Sequence, residues 1–167
     1  MSEKIIQSKK IHSLDDARKL AKKRLPKMFF DFVDGAAGDE KLCELNSTAL
    51  DQIRLEPKVL RNVEKRNLSK KFFDTSYGLP FGFAPMGMCN LVWPLADQII
   101  AREAAQRRFP VAVSTASSTT LERMIELAEG YAWFQLYADQ SPEFVNELVQ
   151  RAAFANYDCL ILTVDVP

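Results

Sequence analysis

Four short apolar runs, starting near residues 81, 111, 133 and 159, constrain the fold of this chain more than any other feature. They are Phe81-Gly82-Phe83-Ala84, ended by Pro85; Pro110-Val111-Ala112-Val113-Ser114; Trp133-Phe134-Gln135-Leu136-Tyr137; and the segment from Tyr157 to Val164. Helical patterns separate them. Trp93 to Arg107 places Leu95 with Ile99 and Ala96 with Ile100 at i,i+4 spacing. Thr119 and Glu122 have capping-box spacing for a helix reaching about Ala128. Ser141-Pro142-Glu143 opens a further helix to about Phe154, because proline at the first helical position gives up no internal hydrogen bond. Strand-helix units repeating every 22 to 30 residues suit parallel βαβ crossovers. In the last run Cys159-Leu160-Ile161-Leu162 is apolar throughout, as expected for a strand with helices on one face and a core on the other.

An open doubly wound sheet and a closed barrel both use that order. A dinucleotide-binding sheet calls for G-x-G-x-x-G after its first strand, whereas Ala84-Pro85-Met86-Gly87-Met88-Cys89 holds one glycine. A barrel places its useful residues at the C-terminal ends of successive strands, and those positions present Pro85 to Gly87, Ser114-Thr115, Gln135 to Tyr137 and Thr163. The expected fold class is therefore α/β: the N-terminal half of a (β/α)8 TIM barrel with preceding helices, strands one to four only. A whole barrel of this kind needs about 250 residues. Four strands leave two open edges, a liability for a parallel sheet. The reading at this point is a truncated or split chain whose C-terminal barrel half, or a complementary chain, is missing.

Upstream, Ser13-Leu14-Asp15-Asp16 reads as a capped helix start, with Leu14, Ala17 and Ala21 at helical spacing. Pro26 can begin a second helix, which the break from Gly35 to Gly38 ends, and a third runs from about Asp39 to Leu50. From Ile53 to Phe73 the pattern is weak. The expected division is a helical preface and lead-in over residues 1–75 and the four-strand barrel segment over 76–167.

With 22 basic and 22 acidic side chains, no overall positive field favours a nucleic-acid partner. Cys43, Cys89 and Cys159 are odd in number and form no C-x-x-C pair, against both a disulfide framework and a cysteine zinc site, so no metal is expected. Cys159 reads as a small apolar residue inside a strand. The first residues lack the continuous apolar segment of a signal peptide, and nothing is long enough to cross a bilayer. A cytoplasmic location follows, with peripheral membrane attachment of a full-length protein left open.

Five ordered segments add a resemblance: Leu25 to Glu40 (LPKMFFDFVDGAAGDE), Phe81 to Met88 (FGFAPMGM), Ala112 to Glu122 (AVSTASSTTLE), Trp133 to Gln140 (WFQLYADQ) and Leu160 to Pro167 (LILTVDVP). In order and spacing they resemble the FMN-dependent 2-hydroxy-acid dehydrogenases and oxidases, which include glycolate oxidase, L-lactate dehydrogenase and mandelate dehydrogenase. The resemblance implies an FMN site, incomplete in this chain, with Pro85, Met86 and Gly87 as a loop lying against the flavin. It implies Ser114 near the reactive part of the isoalloxazine, Gln135 on the pyrimidine edge and Thr163 as a further flavin-binding hydroxyl. Tyr137 is implied as the catalytic and substrate-binding phenol, stabilising negative charge without acting as the main base. Read from the residues alone, Pro85 and Gly87 suit a tight strand-to-helix turn, Ser114 an ordinary polar strand end, Gln135 and Thr163 core-edge packing, and Tyr137 a buried tyrosine.

Two departures stand out. Phe30 occupies the place where the family usually has a tyrosine that binds the substrate carboxylate, and losing that charge-assisted bond costs about 1.5–3 kcal/mol. Trp93-Pro94-Leu95-Ala96-Asp97 departs from the His-Pro-x-Gly-Glu form of the oxidase branch. The family's histidine base, two arginines and lysine follow the fourth strand, and its phosphate turns lie near strands seven and eight. His12, the only histidine, precedes the first helix and does not match the base. The implied reaction is oxidation of a small 2-hydroxy acid to the 2-oxo acid by the complete protein, a homo-oligomer with its electron acceptor open, this chain being inactive alone. Another flavin- or phosphate-binding barrel enzyme and a degenerate half-barrel with a structural role are the alternatives.

Overall fold

Ser13 caps the first helix: its hydroxyl accepts from Asp16 N at 3.1 Å, and α1 follows over Leu14–Arg24. Asp15 and Asp16 meet the positive end of the helix and Lys22, Lys23 and Arg24 the negative end. Leu14 itself is exposed. Helix α2 (Lys27–Asp34) starts after Pro26 and stops at Gly35, where a Cβ would lie 2.8 Å from Asp31 O. Arg18 on α1 donates to the Asp34 carboxylate on α2 at 2.9 Å and holds that carboxyl below its usual range. Helix α3 spans Lys41–Asp51. Phe30 is the one buried side chain of these three helices, with Lys22 Nζ 5.7 Å from its ring centroid.

This computed structural model describes residues 11–138 and 141–164 and forms two compact units, Met1–Arg61 and Asn62–Pro167. The second unit opens with an antiparallel hairpin that the sequence did not announce, β1 (Lys70–Phe72) and β2 (Thr75–Tyr77). Its connection places Phe73 at φ 50°, a left-handed turn made without the Asn or Gly that normally signals one. Then come β3 (Phe83–Met86), α4 (Cys89–Val92), α5 (Ala96–Arg107), β4 (Val111–Ser114), α6 (Leu121–Leu127), β5 (Ala132–Tyr137), α7 (Pro142–Phe154) and β6 (Leu160–Thr163).

The sheet order is β3-β4-β5-β6 and every pairing is parallel. A sheet that grows in one direction through right-handed crossovers keeps its helices on one face, whereas a doubly wound sheet reverses and covers both. The core agrees. Val111, Val113, Phe134 and Leu136 point to the side where Ala101, Ala104, Met124, Ile125, Leu148 and Ala152 pack from α5, α6 and α7. Strand alternation and the register send Ala112, Ser114, Trp133, Gln135, Tyr137, Ile161 and Thr163 to the other face. At the N-terminal end of that face Trp133 Nε1 donates to Tyr77 OH at 2.8 Å, and Phe72 and Tyr77 both meet the indole edge-on. The hairpin thus caps the start of the strands with aromatics.

Several local expectations change. Pro85 and Met86 end strand β3 rather than forming a loop after it, and the register slips between Phe83 and Met86 because proline brings no N–H to the ladder. Thr120, not Thr119, caps α6, accepting from Arg123 N at 3.4 Å, while Glu122 pairs with Arg151 on α7 instead of reaching back to the cap. Helix α5 begins at Ala96 rather than Trp93, which ends α4, and it buries Asp97, Ala101, Ala104 and Ala105 while Leu95 and Ile99 stay exposed. Cys159 lies just before β6, its carbonyl accepting from Phe134 N at 2.9 Å. Leu160 and Leu162 of β6 are exposed. Among the described residues no helix is long and apolar enough to cross a membrane.

Candidate flavin-facing site at the strand tips

Ser114, Tyr137 and Thr163 are the last residues of β4, β5 and β6, so parallel pairing brings them to one end of one face. Gln135 stands one alternation below Tyr137 and is 1% exposed. Its Nε2 donates to Thr163 Oγ1 at 2.8 Å and its Oε1 accepts from Thr115 N at 3.3 Å. The amide therefore has a fixed sense, carbonyl towards β4 and amino group towards β6, with one amino proton left to give.

Thr115 ties the tips together. Its hydroxyl donates to Gln135 O at 2.6 Å, and the same oxygen accepts from Tyr137 N at 3.2 Å. Tyr137 itself is 37% exposed. Ser114 is buried, and its Oγ accepts from Ala116 N at 3.1 Å, which leaves the hydroxyl proton to donate elsewhere.

The tip of β3 closes against this loop. Met88 N donates to Ala116 O at 2.9 Å with Met88 at φ 52°, a left-handed conformation that costs a non-glycine residue about 1–2 kcal/mol. A Cβ added to Gly87 would lie 3.1 Å from the Ala116 Cβ and 3.8 Å from Ser114 Oγ, so glycine allows the two tips to approach. Pro85, Met86 and Gly87 are exposed at this end. Beneath them Cys89 is half-buried, and burial first, then the nearby Asp97 charge, pushes its thiol up to about 11. It is a protonated donor at neutral pH rather than a nucleophile.

The assembled tips offer hydroxyls, an amide, a phenol and backbone, which can hydrogen-bond a flat heteroaromatic edge to edge. Phe30 belongs to the first unit, where it is buried, and His12 is exposed. No cluster of three or more metal-ligating side chains occurs among the described residues.

A family model described as FMN-dependent dehydrogenase matches residues 21–167. The chain belongs to this family. It is 35% identical over 159 residues to (S)-mandelate dehydrogenase of Pseudomonas putida, covering 95% of this chain and 40% of that protein. To L-lactate dehydrogenase of Pseudomonas syringae pv. syringae (strain B728a) it is 33% identical over 157 residues, covering 94% and 41%. A crystal structure of mandelate oxidase superposes with a TM-score of 0.87 at 32% identity, over 93% of this chain and 45% of that one. The chain thus spans about two fifths of the length of the curated relatives it matches. Its parallel sheet is part of a (β/α)8 barrel of that family.

Two residues named in the sequence were given no individual role there. Thr115 stands in a Ser-Thr run whose letters do not say which hydroxyl turns across to the next strand. Asp97 lies in an amphipathic stretch where a charge reads as solvated, yet it is 3% exposed.

Proposed function

We propose that the complete protein oxidises a small 2-hydroxy acid, of the lactate, glycolate or mandelate type, to the 2-oxo acid with FMN. In this proposal the present chain supplies the first four barrel strands and part of the flavin site, and is inactive alone. The carrying observation is the convergence of Ser114, Gln135, Tyr137 and Thr163 on one end of one sheet face, beside the close approach at Gly87.

The residues suit the group. Isoalloxazine is flat and presents carbonyl oxygens and ring nitrogens along its edge, which match the remaining Gln135 amino proton and the Ser114 hydroxyl proton. The exposed backbone at Pro85 to Gly87 offers a surface without a protruding Cβ at Gly87 for a ring to lie against. When bound, FMN supplies the two-electron acceptor for the substrate's alpha carbon–hydrogen bond. The chain's own residues orient it: Gln135 and Thr163 on the polar edge, Ser114 nearer the reacting centre, and Tyr137 above, where its phenol donates to the substrate's oxygen. Proton acceptance and carboxylate binding fall to the histidine and arginines of the remaining barrel.

Phe30 has no hydroxyl where the resemblance implies a carboxylate-binding tyrosine, so this proposal assigns no preference among the lactate, glycolate and mandelate types. The three free cysteines accord with a reducing, cytoplasmic setting. The test is to express the complete protein and add L-lactate, glycolate and (S)-mandelate anaerobically. Bleaching of the visible flavin band by at least one of them is expected. A purified complete protein that carries no flavin, or whose flavin none of the three reduces, overturns the proposal.

A further inference from the structure

Asp97 is a carboxylate in the first turn of α5, 3% exposed, with both of its described acceptor contacts on one loop. Its Oδ2 accepts from Ser117 Oγ at 3.0 Å and from Ser118 N at 2.9 Å. Asp97 N donates to Asn90 Oδ1 at 3.1 Å, and Asn90 Nδ2 reaches Thr119 Oγ1 at 3.5 Å. Residues 117 to 119 are therefore gripped by two side chains that belong to the β3–α5 connection and the start of α5. Burying a carboxylate is costly unless its lone pairs are met, so such a group is retained where its geometry matters.

What it grips is the turn that shapes the site. Ser117 N donates to Ser114 O at 3.0 Å, Ala116 N to Ser114 Oγ at 3.1 Å, and Ala116 O accepts from Met88 N at 2.9 Å. An unbroken series of contacts runs from Asp97 through Ser117 and Ala116 to Ser114 on one side and Gly87-Met88 on the other. We infer that Asp97 is a positioning residue for the flavin: its carboxylate holds the tips of β3 and β4 at the spacing that Ser114 and Gly87 require to meet the ring. Asp97 does not touch the ring itself. The inference rests on the flavin reading above, but the clamp is a property of the chain and is measurable without FMN.

The experiment is amide hydrogen exchange on the 167-residue chain, paired with FMN titration followed by quenching of flavin fluorescence. For Asp97→Ala, exchange at the Ser118 and Met88 amides should rise about tenfold or more relative to Val113 and Phe134, with a parallel loss of FMN affinity. Asp97→Asn keeps an oxygen for both donors and should restore most of the protection and affinity, whereas Asp97→Leu, of similar shape with no acceptor, should not. Ser117→Ala removes a single donor and should fall between them; it decides the matter if Asp97→Ala loses all protected amides. Faster exchange at Ser118 with Met88 and FMN affinity unchanged would overturn the inference, as would no change at either amide. Should the unaltered chain show no quenching, the flavin reading is judged on the complete protein, and the Met88 amide alone decides whether the clamp exists.

Discussion

The two faces of the β3–β6 sheet are built from alternate residues of the same strands, yet they do different work. On the helix side Val111, Val113, Phe134 and Leu136 are buried in one apolar core with α5, α6 and α7. On the other side the same strands carry an indole at one end and, at the other, Ser114, Gln135, Tyr137 and Thr163 joined by hydrogen bonds through Thr115. The contrast teaches that apolar packing and polar bonding are separable here residue by residue, because a one-position step along a strand moves a side chain from the core to the opposite, polar face. Substitutions should respect that division.

The largest effect belongs to the core side. Phe134→Ala removes a ring that is 1% exposed and should cost about 3–5 kcal/mol of unfolding free energy, read from urea denaturation of the chain. A cost under about 1 kcal/mol would mean that this face is not the stabilising one. Crossing to the other face at the next residue, Gln135→Leu leaves the Thr115 amide without its acceptor and should cost about 1–3 kcal/mol. It should weaken FMN binding by at least about tenfold in the variant that remains folded, so the two neighbours differ in kind as well as size. Tyr137→Phe sharpens the contrast further. Tyr137 is 37% exposed, so stability should stay within about 0.5 kcal/mol while, on the proposed function, turnover of a 2-hydroxy acid by the complete protein falls.

The smallest effect lies outside both faces, on the helix surface. Arg151 holds the Glu122 carboxyl below its ordinary 4.5 by hydrogen bonding, at 2.8 and 3.1 Å. A carboxyl lowered in the folded state adds stability above its unfolded value, and that contribution is lost as pH falls through the folded value. Glu122→Gln should therefore lower stability slightly at neutral pH, by about 0.5 kcal/mol or less for so exposed a pair, and match the unaltered chain in acid. Thermal unfolding across that range checks the sign.

Much of this was legible in the letters. The four strands, their order and the Ser13 and Ser141 caps follow from apolar runs and hydroxyls at helix starts, which act locally. What escaped depended on distant partners. The β1–β2 hairpin is short and exposed on β1, turns at Phe73 without glycine, and gains its aromatic packing from Trp133, sixty residues on. Thr119 looked like the cap because Glu122 sat three residues later, but Glu122 found Arg151 across the helix pair. The clearest case is β6, whose Leu160 and Leu162 are as apolar as the buried valines of β4 yet remain exposed, since burial is conferred by neighbours and not by the strand's own residues. At the site, alternation and pairing predicted that Ser114, Gln135, Tyr137 and Thr163 would share an end; the Thr115 bridges and the buried Asp97 are three-dimensional facts with no spacing to betray them.

The central claim is that flavin lies against the strand tips of the face opposite the helices. It is tested most directly by adding FMN to the isotopically labelled chain and mapping which backbone amides shift. The account predicts shifts concentrated at Met86 to Met88, Ser114 to Ala116, Gln135 to Tyr137 and Thr163, with the Val111 and Phe134 amides nearly still. Shifts scattered over α6 and α7, or none at millimolar FMN, would contradict it.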